Sequence, residues 1–401
     1  MAARASIAML VAAAGTFGFA EGANAKVYTE LRPRMSLLGG VDDNVTLDGS
    51  GGDYFGRAQP GLKLDIYGDH KMHVGLDCQA SLARLGHPDR FREVSSSDFA
   101  TGEQCAGSYK EYLSNRLQLR VESRAGYMQD PLAISGLGLL LRPGQTHVFQ
   151  GKLAADAELN VSPRAMWTFG LESQALTFGA NDPGNGAYVG PHVTYAYRTT
   201  PYARWEVTGR EQLFFSFGAD ANQRLATKAV QGGLLTEAHS AMGGYVRRLS
   251  AVTTVTARGG ASYVTGNTNG AVEPIARFEL ESVLRDYGMH LIVMHDLAIG
   301  ATRAGALGLD IAEADLMGKL GKFESHLRAG VYRNTGVGQF LQRGAMGYGT
   351  EFDVDYRLAK EWTVGLAAAR DARLTDTGVV GVPQVDRDVV QLRVTWERAR
   401  N

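Results

Sequence analysis

One pattern dominates the chain: extended runs in which apolar and charged residues alternate, repeated almost to its end. In "KVYTELRPRMSLL", Val27, Leu31, Met35 and Leu37 share one parity, and Tyr28, Glu30, Arg32 and Arg34 share the other. Successive residues of a strand point to opposite faces, so such a run has one greasy side and one ionic side. In the same way Leu62, Leu64 and Ile66 oppose Arg57, Lys63 and Asp65. Val74, Leu76, Cys78 and Leu82 oppose His73, Asp77 and Gln79. Leu117, Leu119 and Val121 oppose Arg116, Arg120, Glu122 and Arg124. Later runs set Trp205, Val207, Leu213 and Phe215 against Arg204, Glu206 and Arg210, and Phe278 and Leu280 against Glu279 and Glu281. Near the end, Phe352, Val354 and Tyr356 face away from Glu351, Asp353 and Asp355.

A soluble sandwich alternates too, and three further features favour a membrane barrel. The runs reach about ten residues or more, the length a tilted strand needs to cross a bilayer. Aromatic residues collect at their ends, among them Trp167, Tyr195, Phe217, Tyr263, Trp362 and Trp396, as interfacial girdles require. Connections alternate between short ("GDH", "NVSPR", "RTTP", "RLS", "RDYG", "RLAKE") and long (42–53, 86–110, 218–232, 265–273, 333–344, 373–387). The expected fold is therefore all-β: a closed antiparallel transmembrane β-barrel of about eighteen strands, with sixteen as the alternative. Closure matters because hydrocarbon offers backbone groups no partners. Parity calls for a strand at Leu132–Leu141 within "GYMQDPLAISGLGLLLRPG", although that run is apolar without alternation and also reads as a plug or an excursion. Pro33, Pro60, Pro191 and Pro274 fall in or beside strands and each removes a ladder donor.

Composition bounds the rest. The chain has 401 residues and a net charge of −1, which argues against a general nucleic-acid binder. Only 44% of residues are hydrophobic, too few for a multi-helix membrane protein. Arg4, the apolar run "IAMLVAAAGTFGFA" and the small-residue site "ANA" read as a secretory signal over 1–25, leaving 26–401 as the barrel. The two cysteines, Cys78 and Cys105, would then meet an oxidising compartment that permits a disulfide. Cys105 falls in a stretch read as a long loop, so their spacing leaves pairing open. No metal or cofactor site is expected: "DNVTLDGSGGD" lacks the spacing and closing Glu of a calcium loop, and no helix follows it to cradle phosphate. It reads as the first outer loop of a hairpin, rich in turn formers.

That stretch also carries a resemblance. "PRMSLLGGVDDNVTL", a Gly-rich gap, Asp53 and "RAQPGLKLDIYGDHKMHVGLD" resemble the opening of an outer-membrane β-barrel porin family associated with exopolysaccharide export; "DPLAISGLGLLLRPGQT" and "ELNVSPRAMWTFGL" resemble further family features. The likeness is strong over about residues 31–80 and weaker beyond. It implies a barrel in the outer membrane of a Gram-negative bacterium that helps a polysaccharide leave the cell, with outer-membrane lipid, the polysaccharide chain and a periplasmic export component as partners and no catalytic residues. The closing "TWERARN" departs from the terminal aromatic typical of barrel insertion signals; Trp396 is the candidate substitute.

Parity names the candidate lumen-facing residues: Arg34, Arg57, Arg116, Arg120, Glu122, Arg204, Glu206, Arg210, Glu279, Glu281, Glu351 and Asp353. Tyr28, Tyr188, Tyr202 and Tyr332 are the inward aromatics on which sugar rings would stack. Basic residues crowd the early strands and acidic ones the late strands, which orients dipolar solutes unless the charges neutralise one another. No Gly-x-Ser-x-Gly occurs, His295 and Asp296 fall on opposite faces of one strand, and the inward histidines (His239, His290, His326) are scattered, so no enzyme is expected. Three functions compete: a polysaccharide export porin, a general or solute-selective diffusion porin, and a structural or adhesive barrel with binding loops.

Overall fold

The computed structural model describes residues 27–43, 52–87, 99–128, 148–178, 192–208, 210–224, 234–266, 270–299, 306–336, 345–375 and 385–398. They form eighteen strands: β1 (Tyr28–Asp42), β2 (Asp53–Tyr67), β3 (His73–Leu85), β4 (Phe99–Tyr112), β5 (Leu117–Met128), β6 (Val148–Ser162), β7 (Ala165–Phe178), β8 (His192–Thr208), β9 (Glu211–Arg224), β10 (Leu234–Arg248), β11 (Thr253–Gly266), β12 (Ala271–Val283), β13 (Tyr287–Ile299), β14 (Ala306–Leu320), β15 (Phe323–Gly336), β16 (Ala345–Arg357), β17 (Trp362–Thr375) and β18 (Val385–Glu397). Each strand pairs antiparallel with the next, and β18 returns to pair with β1 from Arg34–Glu397 to Asp42–Val389. The sheet is a closed barrel, as the alternation predicts. The signal reading falls on residues outside those described.

Connections are short at one end, the periplasmic end in barrels of this type: 113–116, 163–164, 249–252, 284–286, 321–322 and 358–361, with Arg210 leading into β9 and a 3₁₀ turn (Asp69–Lys71) after β2. At Gly321 the backbone takes a φ of 62°, the left-handed conformation that glycine adopts without penalty.

Two sequence readings are corrected here, and a third falls outside the described residues. The segment 86–110 is not all loop: its second half is β4, so Cys105 lies in a strand opposite Cys78. β4 satisfies the parity that Leu132–Leu141 was asked to satisfy, and that segment lies outside the described residues. "RTTP" is no turn; it lies within β8.

The prolines act as their missing donors require. The β2–β3 register skips Gln59 and Pro60 between Ala58–Leu82 and Gly61–Gln79. The β8–β9 register skips Thr200 and Pro201. The β12–β13 ladder stops at Ala276–His295, short of Pro274, and the β1–β18 ladder stops one residue from Pro33. Pro191 lies outside the described residues. Beyond His295, β13 stays with β14, and Leu297 packs against Ala238, Val264 and Ala271 near the outer end of the bore.

Outside, the wall is apolar. Trp205 is 64% and Phe215 60% exposed, and Leu37, Phe169, Leu171, Phe278 and Leu366 stand out likewise. All four tryptophans (Trp167, Trp205, Trp362, Trp396) lie within a few residues of the short-turn end. Trp362 and Trp396 are register partners, and Trp396 Nε1 donates to Glu361 at 3.2 Å. One girdle thus sits at the interface where an indole keeps its N–H wet.

Inside, bulky rings lie over glycines of the next strand. A Cβ at Gly244 would overlap the ring of Phe214, and one at Gly347 would overlap Tyr332. The missing side chain leaves room for the ring to lie flat against the wall.

Candidate functional site

The inner wall is the site. Even-numbered residues of β1 and odd-numbered residues of β2 and β3 face inward, which juxtaposes basic and acidic groups on neighbouring strands. Arg34 Nη2 lies 2.6 Å from Asp77 Oδ1 and donates to Gln79 at 3.2 Å. Arg32 Nη2 donates to Asp65 at 2.8 Å, and its Nη1 lies 3.3 Å from Glu397, joining β1, β2 and β18 at the short-turn end. Asp65 also meets His73 Nε2 at 3.0 Å. At the outer end Arg387 Nη2 reaches Asp42 at 2.6 Å. There Asp53 accepts from the backbone N–H of Tyr54 and of His87, each at 2.8 Å.

The later wall is richer in acid. Glu313 and Asp315 of β14, Glu351, Asp353 and Asp355 of β16, and Asp371 of β17 share the inner face. Arg328 binds Glu313 through two nitrogens at 2.8 and 3.1 Å. His326 lies 2.8 Å from Asp315 and 4.0 Å from Asp353. Arg393 reaches Asp355 at 2.9 Å. Between these regions the middle of the inner wall of β9 to β11 carries little charge, with Phe214, Ser216, Ser240, Met242, Gly244, Thr256 and Ser262 alongside Arg258, while Arg248 takes an inward position nearer the short-turn end.

Most lumen-facing candidates take inner-face positions. Arg57 is buried on the inner face near Phe55. Arg120 stands opposite Asp156 and 3.9 Å from Glu158; Glu122 is exposed to the bore. Arg204 Nη2 contacts Met166 Sδ at 3.7 Å, and Glu206 stands opposite Gln212. Glu279 pairs with Arg277 and lies 3.9 Å from Arg258, while Glu281 stands opposite His290. Two candidates are corrected. Arg116 and Arg210 lie in the short connections before β5 and β9, exposed at the rim rather than along the bore. Each directly precedes its strand and carries the parity of that strand's inward residues, so alternation extends the strand by one residue.

Tyrosines fare unevenly. Tyr28 faces the bore and is 51% exposed. Tyr332 is 2% exposed, packed over Gly347, and offers no open face to a sugar. Tyr202 holds the register position opposite Thr168 and Ser216. Tyr188 lies outside the described residues. His239 is also corrected: it shares the outward face with Tyr263, because its neighbour Ala238 is the one packed inside. His295 does find a carboxylate, Asp310 of β14 at 2.6 Å, rather than its neighbour Asp296.

The sulfurs of Cys78 and Cys105 are bonded across β3 and β4 on the outward face. Among the described residues no three His, Cys, Asp or Glu side chains are grouped to hold a metal.

Parity places His73 on the inner face but does not single out Tyr67, Lys71, Lys110 and Tyr112, which join it at the short-turn end. The rings of Tyr67 and His73 stack at 4.8 Å, and Tyr28 lies 6.0 Å from Tyr67. Lys71 Nζ and Lys110 Nζ approach the Tyr112 ring at 5.2 and 5.4 Å. Only the pairing of four strands brings them together.

No family model matches the chain, and no curated protein matches it. Among solved structures it is similar to the siderophore receptor PirA from Acinetobacter baumannii, at 7% identity and a TM-score of 0.50, covering 93% of this chain and 81% of that one. It is similar to a mutant form of the ferric enterobactin receptor PfeA from Pseudomonas aeruginosa, at 7% identity and a TM-score of 0.50, covering 92% and 80%. A match to the outer-membrane protein opdK from Pseudomonas aeruginosa has 11% identity and a TM-score of 0.44, covering 92% and 98%. At these identities the likeness is one of fold: an all-β, closed antiparallel barrel of the kind found in Gram-negative outer membranes.

Proposed function

We propose that the chain is an outer-membrane conduit through which a secreted exopolysaccharide leaves the cell. The supporting observation is the pairing of charge along the inner wall. Arg34 with Asp77, Arg32 with Asp65, Arg328 with Glu313 and Arg393 with Asp355 line the bore with hydrogen-bonding groups whose fields largely cancel. A hydroxyl-rich chain exchanges hydrogen bonds along such a surface without being trapped by one strong field. The resemblance over residues 31–80 supports the same substrate class. Deletion of the gene is expected to abolish or sharply reduce surface polysaccharide; a deletion strain with a normal capsule would sink the proposal.

A second reading, a solute-selective diffusion porin, is favoured by the acid-rich face of β14, β16 and β17. It expects steady conductance in planar bilayers and slower solute uptake by the deletion strain, with polysaccharide unchanged.

A further inference from the structure

We infer that the short-turn rim of β1 to β4 is a binding site for a carboxylate-bearing oligosaccharide segment, the first contact of an acidic glycan entering the barrel. The inference rests on the conduit reading above.

Four adjacent strands build the rim. Tyr28, Tyr67 and His73 form a row of rings from β1 to β3, ended on its open side by the half-exposed Tyr28. The row is pre-organised: Asp65 holds His73 Nε2 at 3.0 Å, and Arg32 holds Asp65 at 2.8 Å. His73 is the register partner of Lys110, which brings the row to Tyr112 and its two ammonium groups. Lys71 and Lys110 form no ion pair among the described residues, unlike Arg32 and Arg34 in the bore beyond them. Three interstrand spacings make the strip about 14 Å wide, room for a short run of sugar rings.

The chemistry is specific. Aromatic surfaces and a few placed polar groups mark a ligand site, and the C–H face of a pyranose suits a ring already held in place. Two ammonium groups with no ion pair among the described residues add charge-assisted hydrogen bonds to carboxylates, which a neutral sugar cannot make. The aromatic row binds either kind of glycan; the lysines discriminate.

The test uses the purified full-length barrel in planar bilayers, with tetragalacturonate or maltotetraose added from the short-turn side. Tetragalacturonate is expected to block current transiently, and Lys71→Gln/Lys110→Gln to weaken that block about tenfold or more with open conductance retained. Tyr28→Ala should weaken block by both sugars. Retained conductance shows that each variant has folded. Equal block by the two sugars, or block by tetragalacturonate unchanged in the lysine variant, would overturn the inference. So would loss of export in cells expressing that variant while oligosaccharide block persists, since the rim would then serve a periplasmic protein. A deletion strain lacking surface polysaccharide beside unaltered block in the variants removes this site and leaves the conduit standing.

Discussion

Arg387 and Asp42 meet 2.6 Å apart at the outer end of the seam where the last strand closes onto the first, and both are buried, at 4% and 0% exposure. A second nitrogen of the same guanidinium donates to the same oxygen at 2.9 Å. These residues are separated by 345 positions in sequence, so the contact exists only in the closed barrel. Removing one partner strands a buried charge, which costs about 3–5 kcal/mol. Asp42→Ala should therefore lower the urea midpoint of the reconstituted barrel strongly, and Asp42→Leu/Arg387→Met should recover much of the loss. A single variant as stable as the parent would show that the pair contributes little to closure.

The exterior makes a different demand. Leu366 stands half-exposed midway along β17, on the face opposite the charged wall. Leu366→Arg should destabilise the barrel by about 2–4 kcal/mol in lipid. Glu122→Arg, on the bore side of β5, should leave unfolding unchanged and alter ion selectivity. Equal destabilisation by the two would contradict the assignment of inside and outside.

Selectivity should follow the acidic wall. Glu351 and Asp353 face the bore two residues apart, with Asp371 on the adjacent β17 and Asp315 on β14, one strand beyond β15. Glu351→Gln/Asp353→Asn should shift the reversal potential of a salt gradient toward lower cation preference. An unchanged potential would mean that ions pass along another part of the wall.

Packing at Gly244 tests the inner surface. A methyl group there would overlap the Phe214 ring, so Gly244→Ala should cost about 1–3 kcal/mol or lower the folding yield. Phe214→Leu in the same chain should restore most of it. A double-mutant cycle in lipid vesicles measures the coupling.

The disulfide closes a loop across a sequence separation of 27. Constraining the unfolded chain in this way is worth about 2–4 kcal/mol. Cys78→Ser/Cys105→Ser should therefore lower the temperature at which the barrel loses its compact gel mobility. Maleimide labelling of the parent only after reduction confirms the bond, and labelling without reduction would refute it.

Period two was written in the sequence because lipid and water impose opposite requirements on alternate residues of every spanning strand. That rule assigned Trp205 and Phe215 to the outside and Glu279, Glu351 and Asp353 to the inside from the pattern alone. It failed at β4, where Glu103 and Glu111 interrupt one face and Ala100, Gly102 and Ala106 dilute the other. With so little contrast between faces, that strand is specified by its ladders to β3 and β5 rather than by its own pattern. Tertiary structure alone decided which charges meet. Parity puts Arg32, Asp65, His73 and Glu397 on one surface, but only register and closure place them within reach of one another, because hydrogen bonds and ion pairs act over a few ångströms while alternation says nothing about neighbours across strands. The same limit kept Lys71, Lys110 and Tyr112 from being read as one group, and hid the burial of Tyr332, which depends on a glycine in the next strand.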